Sequence, residues 1–281
     1  MREKPETLVE YVVRSGTRTN ILLAIADGQR SAQALIEYGS ASQSGVYNAL
    51  SNLEDHGLIH GSRSKQWFLT GTGSLVVNFL HRQHGMEELI QTDQQYWQTH
   101  DVAVLPRSFQ FDLSQLVPGS VVRATDTQPS RAMREVENRL EATTSARFVV
   151  PVYDERHWSA LLDGCEKCQL VLSETVLSAL PNDVASISDS IEDLDIRIAD
   201  VSFKLAVTDV CLLFSLPLLD GSYDVQTEFI AETEQARTWG IRLFEQVWAD
   251  AVPFDDDTGS LRTNRELKNR TEYDSNEDRR R

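Results

Sequence analysis

Ser42-Gln43-Ser44-Gly45-Val46-Tyr47-Asn48-Ala49-Leu50-Ser51-Asn52-Leu53-Glu54-Asp55-His56-Gly57-Leu58-Ile59 holds a change of periodicity within one short segment. Val46, Leu50 and Leu53 are spaced four and three apart, the signature of a helix that buries one stripe, and the pattern predicts a helix from about Ser42 to Asp55. His56-Gly57 closes it, and Leu58-Ile59 opens an extended segment. The stripe leaves the opposite face free. On that face stand Gln43, Ser44, Tyr47, Asn48 and Ser51, short or planar hydrogen-bonding groups rather than the Glu/Lys pairs of a merely solvated helix.

Upstream, Ile21, Leu22 and Ile25, with Val12 and Val13 before them, form another apolar stripe at helical spacing, stopped by Asp27-Gly28. Ser31 caps a short helix through Ala34, Leu35 and Ile36, and the Tyr38-Gly39-Ser40-Ala41 turn separates it from the helix quoted above. Downstream, Gly61-Ser62-Arg63-Ser64-Lys65 is a polar tip from which Gln66-Trp67-Phe68-Leu69 returns as a second strand. Two helices, a turn, a third helix and a hairpin follow the order of a winged helix-turn-helix module, which lays its third helix in the DNA major groove and its wing along the backbone. On that geometry Gln43, Ser44, Tyr47, Asn48 and Ser51 are candidates for base edges and phosphates, since Gln and Asn match the donor–acceptor pair of adenine. Arg63, Ser64 and Lys65 on the wing, together with Arg30 and Arg18, are candidates for phosphate contact. The segment Ser42 to Ile59 resembles the recognition-helix-to-wing signature of archaeal and bacterial winged-helix repressors. Leu69-Thr70-Gly71-Thr72-Gly73 is similar to the Leu-Thr-x-x-Gly exit from their wing. Where those families often carry Arg in the recognition helix this chain has Asn48, a departure that bears on any bidentate guanine contact from that position.

The formal charge is 27 − 43 = −16, yet residues 1–70 hold seven basic and seven acidic residues and are neutral, so residues 71–281 carry 20 − 36 = −16. Only five of the basic residues are lysines (Lys4, Lys65, Lys167, Lys204, Lys268), and this arginine bias on an acidic background resembles proteins of salt-accumulating halophilic archaea. An ordinary acidic cytosolic protein has the same charge sum. Few cations on the DNA-facing side mean little counterion release, which suits a salty cytoplasm and favours a homodimer that engages two half-sites. A hydrophobic content of 41% excludes a wholly disordered chain. Met1-Arg2-Glu3-Lys4-Pro5 leads into no apolar segment, and the longest apolar stretch, Val210 to Leu219, contains Ser215 and Pro217. The expectation is a cytoplasmic protein with no membrane partner. Three cysteines are too few for a disulfide framework, and Cys165-Glu166-Lys167-Cys168 lacks two further ligands for zinc, so the thiols read as reduced, packed residues. His81 and His84 read as surface histidines and Asp255-Asp256-Asp257 as a solvated run, and no metal site is expected.

Residues 72–100 read as a connector or dimerisation helix, with Gly85 as a break. From Asp101 extended runs alternate with helical ones: Ser120-Val121-Val122, a helix around Ala132, Val136 and Leu140, Arg147 to Val152, a helix around Trp158, Leu161 and Leu162, then Gln169 to Leu172. Leu194 to Ile198, Phe203 to Val207 and Val210 to Leu216 add strands, the last two pairing as a hairpin about Asp209, and a final amphipathic helix carries Ala236, Trp239, Leu243, Val247 and Ala251. The fold class expected is α+β and α/β: a winged helix-turn-helix over 1–71, the connector over 72–100, an α/β domain with a mixed sheet over 101–254, and a polar, disordered tail over 255–281.

Val150-Pro151-Val152-Tyr153 with Trp158, Leu172 to Val176, Phe203 to Asp209, Leu219-Asp220-Gly221 and Trp239 make residues 120–250 resemble the sensor half of the archaeal methanogenesis-regulator family. The resemblance implies an effector domain joined to a winged helix. By position at strand ends and turns, the ligand candidates are Arg123, Thr125, Tyr153, Asp154, Glu174 and Asp209. No phosphate loop, His-Glu-x-x-His helix or Gly-x-Ser-x-Gly elbow occurs, so no catalytic residue and no cofactor is expected. The reading is a DNA-binding transcription regulator that binds double-stranded DNA as a homodimer and responds to a small-molecule effector. Its rivals are an α/β enzyme that uses the winged helix for oligomerisation or protein contacts, and a protein-interaction adaptor.

Overall fold

The computed structural model describes residues 6–39, 41–141, 143–153, 167–179, 193–255 and 260–261, and the chain divides into two compact units, Met1–His84 and Gly85–Arg281. In the first unit α1 (Leu8–Val13), α2 (Gly16–Ala26), α3 (Ala32–Tyr38) and α4 (Gln43–Asp55) precede an antiparallel hairpin of β1 (Ile59–Gly61) and β2 (Trp67–Leu69). Each helix begins where a side-chain oxygen accepts from an amide three residues on: Thr7, Ser15, Ser31 and Ser42. Gly28 (φ +94°) and Gly57 (φ +68°) follow the ends of α2 and α4 in the left-handed region, where a side chain is costly. Val12, Leu22, Leu35, Val46, Leu50, Leu53 and Leu58 form one core with Val76, Val77 and Leu80. The last three lie on the first turns of α5 (Gly71–Thr92). This is the winged helix-turn-helix order expected from the sequence, except that the apolar stripe from Val12 to Ile25 is divided between α1 and α2, because the Ser15 side chain caps a new helix at Gly16.

Gly85 does not break α5, which runs without interruption from Gly71 to Thr92. A Cβ at Gly85 would lie 2.9 Å from the Cβ of Ser114, so the glycine serves a close approach rather than a bend.

The second unit is built on a nine-stranded mixed sheet. After α6 (Gln94–Thr99), α7 (Arg107–Phe111) and two short 3₁₀ turns come β3 (Gly119–Arg123), α8 (Arg131–Glu141), β4 (Ser145–Val150), β5 (Lys167–Leu172) and α9 (Glu174–Ala179). There follow β6 (Asp193–Ile198), β7 (Lys204–Thr208), β8 (Leu212–Ser215), β9 (Thr227–Ala231), α10 (Glu234–Asp250), β10 (Val252–Asp255) and β11 (Ser260–Leu261). The strand order is β11-β10-β6-β5-β4-β7-β8-β9-β3, with β4, β5 and β6 parallel and the other pairings antiparallel. Both faces are covered, which is why the central strands read as continuous apolar runs. Leu205, Val207, Leu212 and Phe214 pack with Trp239, Leu243 and Phe244 of α10 on one face, while Ala206, Leu213 and Ile230 pack with Val136 and Leu140 of α8 on the other.

The helix expected around Trp158, Leu161 and Leu162 lies outside the described residues, as does most of the polar tail. Of that tail, Asp255 ends β10 and Ser260–Leu261 pair back onto it. Cys168 is disulfide-bonded, in contrast to the expectation of free packed thiols. Cys211 is free and buried, with burial pushing its thiol pKa up. Among the described residues no helix is long and apolar enough to cross a membrane.

Candidate nucleic-acid interface and ligand cavity

Along α4 the division between faces is complete. Val46, Ala49, Leu50 and Leu53 are buried, and Gln43, Ser44, Tyr47, Asn48 and Ser51 are all exposed, Tyr47 to 52%. Apart from Ser44, whose Oγ lies 3.2 Å from the capping Ser42 Oγ, these polar groups spend no side-chain hydrogen bond on the described residues. The hairpin is fastened to the same helix, because Glu54 Oε1 accepts from the Gly61 amide at 3.0 Å. On the other side Trp67 N donates to Arg30 O at 2.8 Å, which sets the exposed Arg30 beside the wing with its guanidinium 4.6 Å from the Phe68 ring centroid.

The wing tip is a tight turn: Lys65 N donates to Ser62 O (3.0 Å), Ser62 N to Gln66 O (2.8 Å), and Ser64 Oγ lies 2.8 Å from Ser62 Oγ. Lys65 closes the turn at φ +55°, the one non-glycine residue with positive φ among those described. Arg63, Ser64 and Lys65 are exposed there. Arg18 is placed differently. Its guanidinium donates to Tyr11 O and lies over the Tyr11 ring, so it is engaged within the helical core instead of joining the wing cations.

The second unit contains a cavity between α8 and the sheet, walled by Ala132, Met133, Val136, Leu140, Phe148 and Val150. Its polar floor is made by β7 and β9. Lys204 Nζ lies 2.6 Å from Glu228 Oε2, with the two side chains 12% and 3% exposed. Ser215 Oγ donates to the same oxygen at 2.8 Å. Glu228 Oε1 is buried and accepts no hydrogen bond from the described residues. Burial disfavours the Lys204 ammonium, yet the facing Glu228 carboxylate and the Tyr223 hydroxyl outweigh it and hold the Lys204 pKa above its ordinary value.

Tyr153 lines this cavity, alone among those ligand candidates expected from sequence that lie in the described residues. Arg123, at the end of β3, is paired with Asp93 Oδ2 at 2.7 Å. Burial raises the Asp93 pKa, and the Arg123 guanidinium and the Tyr96 amide more than reverse it, so the carboxyl titrates below its usual range. Thr125 closes an exposed turn by accepting from Gln128 N, Glu174 is exposed at the start of α9, and Asp209 lies in the β7–β8 turn, its carbonyl accepting from Arg237. Asp154 lies outside the described residues. Lys204 and Glu228 escape sequence reasoning, although each is a lone charge within a short apolar run (Phe203-Lys204-Leu205 and Glu228-Phe229-Ile230), a pattern that marks a buried pair.

Below the cavity floor Tyr96 is fully buried, stacks on His100 at 3.9 Å, and its hydroxyl accepts from Leu216 N at 3.0 Å. Tyr96→Phe leaves that amide without a partner. The substitution is expected to lower the stability of the second unit by about 1–3 kcal/mol, read as an earlier urea midpoint with an unchanged slope. Burial also pushes the Tyr96 phenol pKa up. A raised acid contributes stability that is complete below its unfolded value of about 10 and is lost above it, so the wild type should lose more stability than Tyr96→Phe in alkali.

Among the described residues no three His, Cys, Asp or Glu side chains converge on a metal position. Residues 129–250 match the family model "Methanogenesis regulatory protein FilR1, middle domain", which takes in α8 and most of the sheet that surrounds the cavity. The chain is 24% identical over 250 residues to "Methanogenesis regulatory protein FilR1" of Methanothrix harundinacea (strain 6Ac), covering 84% of this chain and 56% of that protein. The chain therefore spans little more than half the length of this curated relative. Among solved structures it is similar to TrmBL2, an archaeal chromatin protein (13% identity, 87% of this chain and 98% of that one, TM-score 0.36), and to the pyocyanin biosynthetic protein PhzM (13%, 67% and 61%, 0.25). At these TM-scores neither structural likeness bears on function. The sequence similarity is to a regulatory protein, and its family match falls on the second unit.

Proposed function

We propose that the chain is a DNA-binding transcription regulator rather than an enzyme, acting as a homodimer whose second unit takes a small effector. The observation that carries this is the unspent polar face of α4 beside a hairpin bearing two exposed cations. Docking in the major groove requires an exposed helix face and a backbone-reaching wing together, and both are built into one rigid core here. Lys65 adds weight: a left-handed residue in a turn is cheapest as glycine or asparagine, and a cation kept there against that preference suits a phosphate contact. The similarity to a methanogenesis regulatory protein supports the regulatory part of the reading. An effector that binds one arrangement of the protein better than another would shift DNA affinity by that difference.

Fluorescence anisotropy with DNA from the chain's own upstream region tests the reading. Gln43→Ala/Asn48→Ala is expected to weaken binding to the specific site about tenfold to a hundredfold while leaving non-specific binding in place. Arg63→Ala/Lys65→Ala is expected to weaken both and to reduce the slope of log K against log salt by about two. All four positions are exposed, so melting curves should match the parent. Parent-like DNA binding by the combined Gln43→Ala/Asn48→Ala/Arg63→Ala variant would overturn the proposal.

A further inference from the structure

The cavity between α8 and the sheet joins an apolar wall to a polar end. Met133, Val136 and Leu140 of α8 line it together with Phe148 and Val150 of β4 and Ala206 of β7. Lys204, Tyr153, Tyr223, Asp224, Thr227 and Glu228 supply the polar end. There the charged groups are already matched among the described residues. Glu228 Oε2 accepts from Lys204 Nζ at 2.6 Å and from Ser215 Oγ at 2.8 Å. Asp224 Oδ1 accepts from Gln226 N at 2.8 Å, and its Oδ2 accepts from Thr227 Oγ1 at 2.7 Å with His100 Nε2 3.3 Å away. What the site offers a ligand is hydrogen bonding without an unmatched charge: two phenol hydroxyls, each able to donate and to accept, and the Lys204 N–H groups that Glu228 does not take. From these observations we infer that the cavity binds an uncharged, mostly apolar, ring-sized molecule with one oxygen function, a hydroxyl or a carbonyl, placed among Lys204, Tyr153 and Tyr223.

Charge and size select the class. An anionic head group would stand beside two carboxylates and an ammonium that is already paired. A cationic one would have to displace Lys204 from Glu228, or Thr227 from Asp224. Either way a charge is left poorly matched beside a buried ion pair, which costs more than burying a neutral group that is hydrogen-bonded. A hydroxyl or carbonyl oxygen meets neither obstacle, since it accepts from an ammonium or a phenol, and a hydroxyl also donates. A cavity volume of about 60 Å³ holds roughly four to six water-sized groups at about 10–15 Å³ each, the bulk of a six-membered ring with a short substituent. Val152 and Val225 line the same cavity at 43% and 63% exposure, and they mark its mouth.

This inference deepens the effector part of the proposed function and rests on it only for the consequence in DNA binding. It is tested by titrating the full-length chain at pH 7 with benzyl alcohol, benzylamine and benzoate, which share one ring and differ in the charge of the head group, and following the melting temperature. Benzyl alcohol is expected to raise it by a few degrees at tenfold excess over Kd, and the two ions to bind at least about tenfold more weakly. Tyr153→Phe/Tyr223→Phe keeps both rings and removes both hydroxyls, and is expected to weaken benzyl alcohol binding about tenfold. Val225→Trp, a change at an exposed position, is expected to block entry while the protein melts as the parent does. Either ion binding as tightly as the alcohol, unchanged binding in the double Phe variant or in Val225→Trp, or no shift with any probe at 10 mM each overturns the inference. DNA titration of the same samples keeps the two readings apart: a chain that binds benzyl alcohol as described but no DNA retains the cavity assignment and loses the regulator assignment, and the reverse outcome removes the cavity assignment alone.

Discussion

Lys204→Met is expected to destabilise the second unit by about 3–5 kcal/mol, because it leaves the Glu228 carboxylate buried with no cation. The double change Lys204→Met/Glu228→Leu is expected to be no less stable than the parent, since a well-packed apolar pair is commonly as good as a buried ion pair or better. The two outcomes together separate the cost of an orphaned charge from the net contribution of the pair, which one substitution alone cannot do. Hydrogen exchange at the β7 and β8 amides reads the second unit specifically. A single variant within 1 kcal/mol of the parent, or a double variant as unstable as the single, would sink the argument. The pH dependence carries a matching sign. Since the folded pKa of Lys204 lies above its ordinary value near 10.4, the contribution of the pair is complete below about pH 10 and fades as pH climbs toward the folded value. The double variant should lack that alkaline loss.

The N-terminal unit is legible in the sequence because its elements are local. Four serine and threonine caps, two left-handed glycines and the alternation of buried and free positions on α4 are each set within a few residues. The strands β7 and β8 and their hairpin can be read for the same reason, since both are short apolar runs about one turn. What escapes depends on contacts distant in sequence. The strand β9 is hidden because Glu228 interrupts its apolar pattern, and only the fold shows that Lys204 and Ser215 complete that carboxylate from two other strands. Gly85 reads as a helix break because its partner, Ser114, is a sequence-distant residue. Position at a strand end or turn is a weak guide to ligand contact. Arg123, Thr125 and Asp209 occupy such places and are taken up by an ion pair, a turn and a helix tether.

Gly73 offers the clearest test of a motif whose physical meaning emerges only in three dimensions. In Leu69-Thr70-Gly71-Thr72-Gly73 the Thr70 hydroxyl donates to Gly57 O at 2.6 Å and accepts from Gly73 N at 3.0 Å, while Thr70 N donates to Leu58 O at 3.0 Å. These bonds draw the start of α5 onto the strand entering the wing. A Cβ at Gly73 would fall within contact of the Leu58 carbonyl oxygen and 3.0 Å from its carbon, both backbone atoms unable to rotate away. A Cβ at Gly71, two residues earlier in the same helix, would meet nothing within 4 Å. Gly73→Ala is therefore expected to destabilise the first unit by about 3 kcal/mol, at the upper end of overpacking costs, and Gly71→Ala to be neutral or stabilising by up to about 1 kcal/mol. The difference extends to function. Separating α5 from β1 strains the frame that carries Arg63 and Lys65, so Gly73→Ala should weaken DNA binding although no DNA-facing side chain is altered, and Gly71→Ala should bind as the parent does. Melting curves and DNA titrations on the two variants decide the matter. A Gly73→Ala chain as stable as Gly71→Ala would show that the wing root yields easily, and a wing so loosely seated would not hold its cations in fixed register with α4.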